Sequence, residues 1–134
     1  MLNAKIYIYV FIISMGLFLP FLGMVNLFDW DEVNFAECAR EMLCRGDYSQ
    51  VMIDYIPFWE KPPLFIWMQA ISMKLFGISN FAARLPNVFA AFFTFSFIIY
   101  MGEKLQNRSF GILWAVVFCG SFLPNIYFHS GIID

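Results

Sequence analysis

Long apolar runs alternate with one charged segment along this chain, and their lengths predict its main elements. The uncharged run over residues 6–28 would form about 34 Å of helix, which is enough to cross a bilayer. Similar runs over residues 84–101 and 110–128 predict a second and a third spanning helix. A cleaved signal peptide is the alternative for the first run, since Lys5 precedes it, but that run is too long and no A-x-A site follows it. We therefore expect about three transmembrane helices.

Residues 29–78 carry most of the charge and are expected to lie outside the bilayer. The apolar and charged positions of residues 31–44 alternate with helical spacing, and Gly46 predicts the end of that helix. Residues 64–76 predict a second helix, which follows two prolines and ends before Gly77. It is too short and too polar to span, so we expect two interfacial helices on the membrane surface.

The composition agrees with an all-α membrane protein. Hydrophobic residues make up 61% of the 134 positions and charged residues only 13%, against about 25% charged in ordinary soluble domains. The net charge of −2 and the lack of a basic patch argue against a nucleic-acid partner. Membrane lipids are the expected surroundings of the chain.

The charges that flank the spans predict an orientation. Lys5 before the first span, and Lys104 and Arg108 between the second and third, favour a cytoplasmic location for these segments. The same count of spans places four polar residues on the outer face: Asp31, Lys61, Arg84 and Asp134. The chain stops directly after an apolar span, so we expect it to be the N-terminal fragment, residues 1–134, of a larger transmembrane domain.

Three carboxylates lie together where the first span ends, in Asp29-Trp30-Asp31-Glu32. One interpretation is structural, because acids at a helix N-terminus complement its dipole and Asp29 with Glu32 resembles a capping pair. The other is chemical: one carboxylate acts as a general base or holds a divalent metal ion. The sequence leaves both open.

Two cations could bind phosphate. Lys61 follows Glu60 and precedes a Pro-Pro turn, where it would offer a fixed positive charge, although a solvated interfacial pair is the alternative. Arg84, between two apolar residues, is either an interfacial anchor or a second phosphate contact.

Several short motifs occur in an order that resembles one family of membrane enzymes. The matching stretches are Asp31-Glu32, Ala39-Arg40-Glu41-Met42-Leu43, Gly46-Asp47, Glu60-Lys61-Pro62-Pro63-Leu64 with Trp67, Phe76-Gly77 and Arg84-Leu85. Together they resemble the membrane glycosyltransferases that include the aminoarabinose transferase for lipid A, in the C-type superfamily of the protein O-mannosyltransferases. The resemblance covers nearly the whole chain and implies that it is part of a larger GT-C fold.

The resemblance also implies site residues. Asp31 would be the catalytic carboxylate, with Glu32 beside it and Asp134 as a second acidic residue after the third span. Lys61 would contact the lipid phosphate, and Glu60 would be a possible metal or structural ligand.

The implied reaction transfers a sugar from a polyprenyl-phosphate donor to a lipid or protein hydroxyl, with inversion at the anomeric carbon. The implied location is the extracytoplasmic face of a bacterial inner membrane, with a divalent metal ion as a possible cofactor. Asn34 stands where the aminoarabinose transferases carry an arginine, which leaves the sugar and the acceptor open. A transporter or a non-catalytic scaffold subunit is the alternative, and we expect the fragment alone to be inactive.

Overall fold

A computed structural model describes residues 4–28 and 30–132 of the chain. Within these residues the elements are α1 (Ala4–Phe18), α2 (Asp31–Arg45), β1 (Met52–Ile53), β2 (Ile56–Pro57), α3 (Pro63–Phe76), α4 (Asn80–Leu105), α5 (Arg108–Cys119) and α6 (Phe122–His129). The predicted helical class is therefore confirmed. The chain divides into two compact units, one formed by residues up to Pro20 with Asn87–His129, the other by Phe21–Pro86 with residues from Ser130.

Aromatic side chains pack the helices of the first unit together. Phe18 of α1 stacks on Phe95 of α4 at a centroid distance of 5.9 Å and meets Phe128 of α6 edge-on at 5.3 Å. Phe95 also contacts Phe118 of α5. Such edge and offset contacts are favourable beyond the area they bury.

The helix predicted over residues 6–28 is wrong in its second half, because α1 ends at Phe18. Pro20 disfavours helical backbone at the residue before it and has no N–H to donate, and Phe21 then adopts a positive φ of 64°. By length and composition, α4 is the one described helix that could span a membrane, and α5 with α6 could form a second span if the bent pair acts as one.

The run predicted as a third span is broken rather than continuous. Helices α5 and α6 meet at an angle of 71° on either side of Gly120 and Ser121. The amide of Asn125 donates to the carbonyls of Cys119 and Ser121, at 2.6 and 2.9 Å, and so satisfies acceptors that a straight helix would have used. The predicted second span, in contrast, lies inside a longer helix, α4.

The second unit places α2 and α3 on a small hydrophobic core. Met42, Ile66, Ala70 and Met73 are among its buried residues. The hairpin of β1 and β2 lies beside α2, where buried Glu41 accepts a hydrogen bond of 3.1 Å from the N–H of Tyr55 at the turn.

The ends of the two helices that were predicted to be interfacial are confirmed to within a residue. Gly46 closes α2 in the left-handed conformation with its N–H on the carbonyl of Met42, and Gly77 follows α3 with a φ of 82°. Helix α3 buries one side in the core and exposes apolar residues on the other: Leu64, Met68, Ile71 and Leu75. Such a face suits the predicted membrane surface.

Candidate active site

The candidate site begins at the N-terminus of α2, which the chain enters through a sharp turn. Trp30 precedes the helix with a φ of 76° and ψ of −99°, and its side chain is exposed. Non-glycine residues rarely hold such a conformation unless surrounding contacts fix it. Asp31 follows as the first helical residue and is half-buried.

Glu32, next along the chain, is completely buried and receives four hydrogen bonds. Its Oε2 accepts from the N–H of Phe28 at 2.6 Å and from Nη2 of Arg84 at 2.9 Å. Its Oε1 accepts from Nε of Arg84 at 2.7 Å and from the N–H of Gly131. The carboxylate therefore joins α2 to three other segments of the chain.

Arg84 has all five of its N–H donors engaged by the protein. Besides the two bonds to Glu32, Nη1 donates to the carbonyls of Leu22 and Val25, at 2.9 and 3.0 Å, and Nη2 donates to that of Asn26 at 2.9 Å. The side chain is only 3% exposed. No N–H group of Arg84 is left to make the predicted contact with a phosphate. The arrangement therefore favours a structural role for Arg84.

Opposing effects act on the pKa of the Glu32 carboxyl. Burial alone would raise it, because the charged form loses its hydration. The hydrogen bonds from Arg84, Phe28 and Gly131, with the positive charge of Arg84, favour the charged form and bring the pKa below its usual value. Glu32 is therefore ionised at neutral pH, and each of its two carboxylate oxygens accepts two hydrogen bonds from the protein.

Gly131 and Gln69 complete the surroundings of this carboxylate. A Cβ at position 131 would lie 3.1 Å from Oε1 of Glu32 and 3.3 Å from Nε2 of Gln69. Gln69, fully buried on α3, donates to the carbonyl of Ala83 at 2.9 Å. Only a glycine fits at position 131 without displacing these side chains.

Lys61 lies on the side of α2 that carries Asp31. Its Nζ is 5.7 Å from the ring centroid of Phe35, a distance at which the ammonium is attracted to the aromatic face. Phe35 follows Asp31 by one helical turn, so the two side chains are neighbours on the helix surface. The structure thus brings Lys61 to the same side of α2 as the predicted catalytic carboxylate.

Glu60 is exposed, and the described residues contain no group of three histidine, cysteine or acidic side chains that could hold a metal ion. Nothing within that part of the chain therefore supports the predicted role of Glu60 as a metal ligand. Asp134 and Asp29 lie outside the described residues.

Arg40, part of a motif in the sequence, makes the surface pair expected of helix neighbours. Its Nε donates to Glu37 at 2.8 Å, and both side chains are partly exposed. Sequence reasoning missed Gln69 and Gly131, although a glutamine inside an apolar helix was a signal for the first. Nothing in the sequence distinguishes Gly131 from other glycines, because its role depends on a contact with Glu32 far away along the chain.

Comparisons with known proteins agree on one family. The model of the family described as dolichyl-phosphate-mannose-protein mannosyltransferase matches residues 60–130. The undecaprenyl phosphate-alpha-4-amino-4-deoxy-L-arabinose arabinosyl transferase of Shewanella sediminis is 32% identical over 133 residues, covering 99% of this chain and 24% of that protein. The enzyme of the same name from Erwinia tasmaniensis is 37% identical over 89 residues, 66% of this chain and 16% of that protein.

Two solved structures share the fold. They are the crystal structures of ArnT from Cupriavidus metallidurans, bound to undecaprenyl phosphate and in the apo state, each with a TM-score of 0.84 and 20% identity. The similarity covers 96% of this chain and 24% of the solved one. The chain thus spans about a quarter of the length of these proteins.

Proposed function

Because this chain belongs to the dolichyl-phosphate-mannose-protein mannosyltransferase family, among the C-type membrane glycosyltransferases, we propose that it forms part of a polyprenyl-phosphate-dependent glycosyltransferase. The donor is a sugar linked to a polyprenyl phosphate, and the acceptor is an oxygen of a lipid, with a protein hydroxyl as the second candidate. The names of the relatives, which are undecaprenyl-phosphate sugar transferases, support this donor class. The chain contributes the N-terminal part of a transmembrane domain with about three spans, and its partners include the surrounding membrane lipids.

The contact of Lys61 with Phe35, one helical turn after the predicted catalytic carboxylate, carries the proposal. In the proposed reaction an acceptor oxygen attacks the anomeric carbon while the polyprenyl phosphate leaves, so negative charge grows on the phosphate oxygens. A fixed ammonium near those oxygens stabilises the transition state most where water is scarce. The contact of Lys61 with Phe35, one turn from Asp31, supports this role.

Asp31 is the proposed general base. It takes the proton of the acceptor, and its charge stabilises the positive anomeric carbon in the transition state. A carboxylate at a membrane face that remains partly open to its surroundings can do both, and Asp31 is half-buried. Asp134 is proposed as the second acidic residue. A single displacement of this kind inverts the configuration at the anomeric carbon.

The active face is proposed to be extracytoplasmic, on the inner membrane of a bacterium. The support is the distribution of lysine and arginine: Lys104 and Arg108 flank the turn between α4 and α5, as expected of a cytoplasmic turn. In the chain, Asp31 and Lys61 precede α4, the described helix long enough to cross a bilayer, and the turn follows it.

The test is sugar transfer by the full-length protein in proteoliposomes. Undecaprenyl-phosphate aminoarabinose and polyprenyl-phosphate hexoses are offered with lipid A as acceptor, or with a serine-containing peptide, and the products are identified by mass spectrometry and NMR. We expect transfer from at least one donor with inverted configuration. A well-folded protein that transfers none of these sugars would favour the transporter or scaffold alternative, and retention of configuration would exclude the single displacement.

A further inference from the structure

We propose that Phe35 is a positioning residue, whose aromatic ring fixes the ammonium group of Lys61 for the proposed contact with the leaving phosphate. The effect on catalysis rests on the proposed function. The contact between the ring and the ammonium group does not, and can be measured by itself.

The first argument is the geometry of the contact. The Nζ atom of Lys61 lies 5.7 Å from the centroid of the Phe35 ring. At such distances the negative face of the ring attracts a cation, and the attraction is stronger where water is displaced. Phe35 is only 1% exposed, so little water reaches its ring. The contact therefore acts on the charged end of the lysine side chain.

The second argument is that the ring itself is held in place. Phe35 on α2 meets Phe65 on α3 edge-on, with ring centroids 6.2 Å apart and an angle of 81° between the ring planes. Phe65 is also buried. Closely packed side chains of this kind keep one orientation on average. Lys61 therefore contacts a ring whose position is set by the packing of α2 against α3.

The third argument is the restricted backbone at Lys61. The next residue, Pro62, has a φ of −67° and a ψ of 144°, and Pro63 is the first residue of α3. A residue before proline is largely confined to extended conformations. The remaining freedom is that of the flexible hydrocarbon stem, and the contact with Phe35 reduces it at the charged end. Lys61 is thus restrained at both ends.

The fourth argument is what a fixed cation contributes to the proposed reaction. A charge that already lies where negative charge will grow needs no reorganisation in the transition state. Phe35 also follows Asp31 by one helical turn, so the same ring relates the position of the cation to the helix that carries the proposed general base. A ring that only filled space would not depend on the electron density of its face, and this difference can be tested.

The contact is tested by fluorine NMR of the full-length protein in lipid nanodiscs. A para-fluorophenylalanine is incorporated at position 35, where its resonance responds to a nearby charge. We expect the signal to shift when Lys61→Met is introduced and to stay in place with Lys74→Met, which removes an exposed lysine from the last turn of α3. Equal shifts in the two variants, or none in either, would overturn the contact. If the labelled protein does not accumulate in membranes, meta-fluorophenylalanine at the same position gives the same comparison.

Kinetics then separate positioning from packing. Rings with one, two and three fluorine atoms at position 35 keep nearly the same shape but present a progressively less negative face to the cation. We expect kcat to fall stepwise along this series, on the order of 10-fold for the trifluorinated ring, with an unchanged KM for the acceptor. The same series at Phe95, a buried ring that packs against Phe18 and Phe118, controls for the added volume and should show no such fall.

An equal kcat along the whole Phe35 series, or an equal fall along both series, would overturn the positioning role. If the unmodified protein transfers no sugar, the proposed function fails, while fluorine NMR still decides whether the ring of Phe35 contacts Lys61.

Discussion

Two carboxylates next to each other in the chain have different surroundings. Asp31 is half-buried at the first position of α2, whereas Glu32 is fully buried with four donors on its oxygens. Pairs of titratable groups in such different environments commonly divide their tasks. We therefore propose a chemical role for Asp31 and a structural role for Glu32, although the family resemblance implied a catalytic role for both.

The surroundings of Glu32 predict a dependence of stability on pH. Because its pKa is lowered in the folded protein, the unfolded chain takes up the proton first as the pH falls. The stabilising contribution is therefore complete above the usual glutamate pKa of about 4.3 and is lost as the pH falls through the lower folded value. Arg84→Met alone should cost about 3–5 kcal/mol, because it leaves Glu32 charged and buried.

Thermal unfolding of the full-length protein at several pH values checks the predicted dependence of stability on pH. The double variant Glu32→Leu with Arg84→Met serves as the control, since it retains the other acids but lacks the pair. We expect the melting temperature of the unmodified protein to fall more steeply below about pH 4.3. Parallel curves for the two proteins would show that Glu32 has no such role.

Lys61 predicts a rate effect that a lysine elsewhere should not share. Lys61→Met removes the charge proposed to stabilise the leaving phosphate, and the expected loss in kcat is about 100-fold to 1000-fold. Lys74→Met is the control, because Lys74 is an exposed residue in the last turn of α3. Initial rates of sugar transfer at matched membrane abundance measure both. Equal rates for the two variants would remove Lys61 from the mechanism.

At the scale of secondary structure, the sequence predicts the short helices better than the long ones. Helices α2 and α3 were found to within a residue, because Gly46, Gly77 and the prolines before α3 mark their ends. The apolar runs are harder to divide, since lipid-compatible composition is the same in a straight helix and in a broken one. Pro20 marks the end of α1 inside the first run, whereas the break at Gly120-Ser121 depends on local hydrogen bonding.

Helices α4 and α5 approach closely at a pair of glycines. A Cβ on Gly111 would lie 2.6 Å from the carbonyl oxygen of Ile99, and one on Gly102 would lie 2.3 Å from Cα of Gly111. Gly111→Ala should therefore force the two helices apart and cost about 1–3 kcal/mol, as overpacking does.

The control for this prediction is Gly16→Ala, also within a helix. A Cβ there meets nothing within 4 Å, so this variant should be neutral or slightly stabilising. Unfolding of the detergent-solubilised protein followed by circular dichroism compares the two. The close approach is contradicted if Gly111→Ala is as stable as Gly16→Ala.

At the scale of the whole molecule, the proposed extracytoplasmic active face predicts how the chain is oriented across the membrane. Cysteine is introduced at Glu60, in the segment with the candidate site, and separately at Gln106, in the turn between α4 and α5, after the native cysteines have been replaced. A membrane-impermeant maleimide added to intact cells should label Glu60→Cys and should label Gln106→Cys only after permeabilisation. Labelling of both in intact cells would contradict the orientation.

How much of the site could be predicted depends on the range of the interactions involved. Asp31 and Lys61 could be predicted as site residues because they belong to short motifs whose residues lie near one another in sequence. The role of Arg84 and the need for Gly131 could not be found, since both depend on contacts with Glu32 that span 52 and 99 positions of the chain. Only folding brings those residues together.

Sugar transfer by the full-length protein with Asp31→Asn tests directly whether this carboxylate is catalytic. Asp54→Asn is the control, because Asp54 is an exposed acid at the turn of the hairpin, with a φ of 52° that asparagine tolerates well. The proposed role of Asp31 predicts that Asp31→Asn abolishes transfer from a polyprenyl-phosphate sugar, while Asp54→Asn keeps the full rate at the same membrane abundance. Full transfer by Asp31→Asn would contradict the proposed mechanism and leave Asp31 as a charge that stabilises the start of α2.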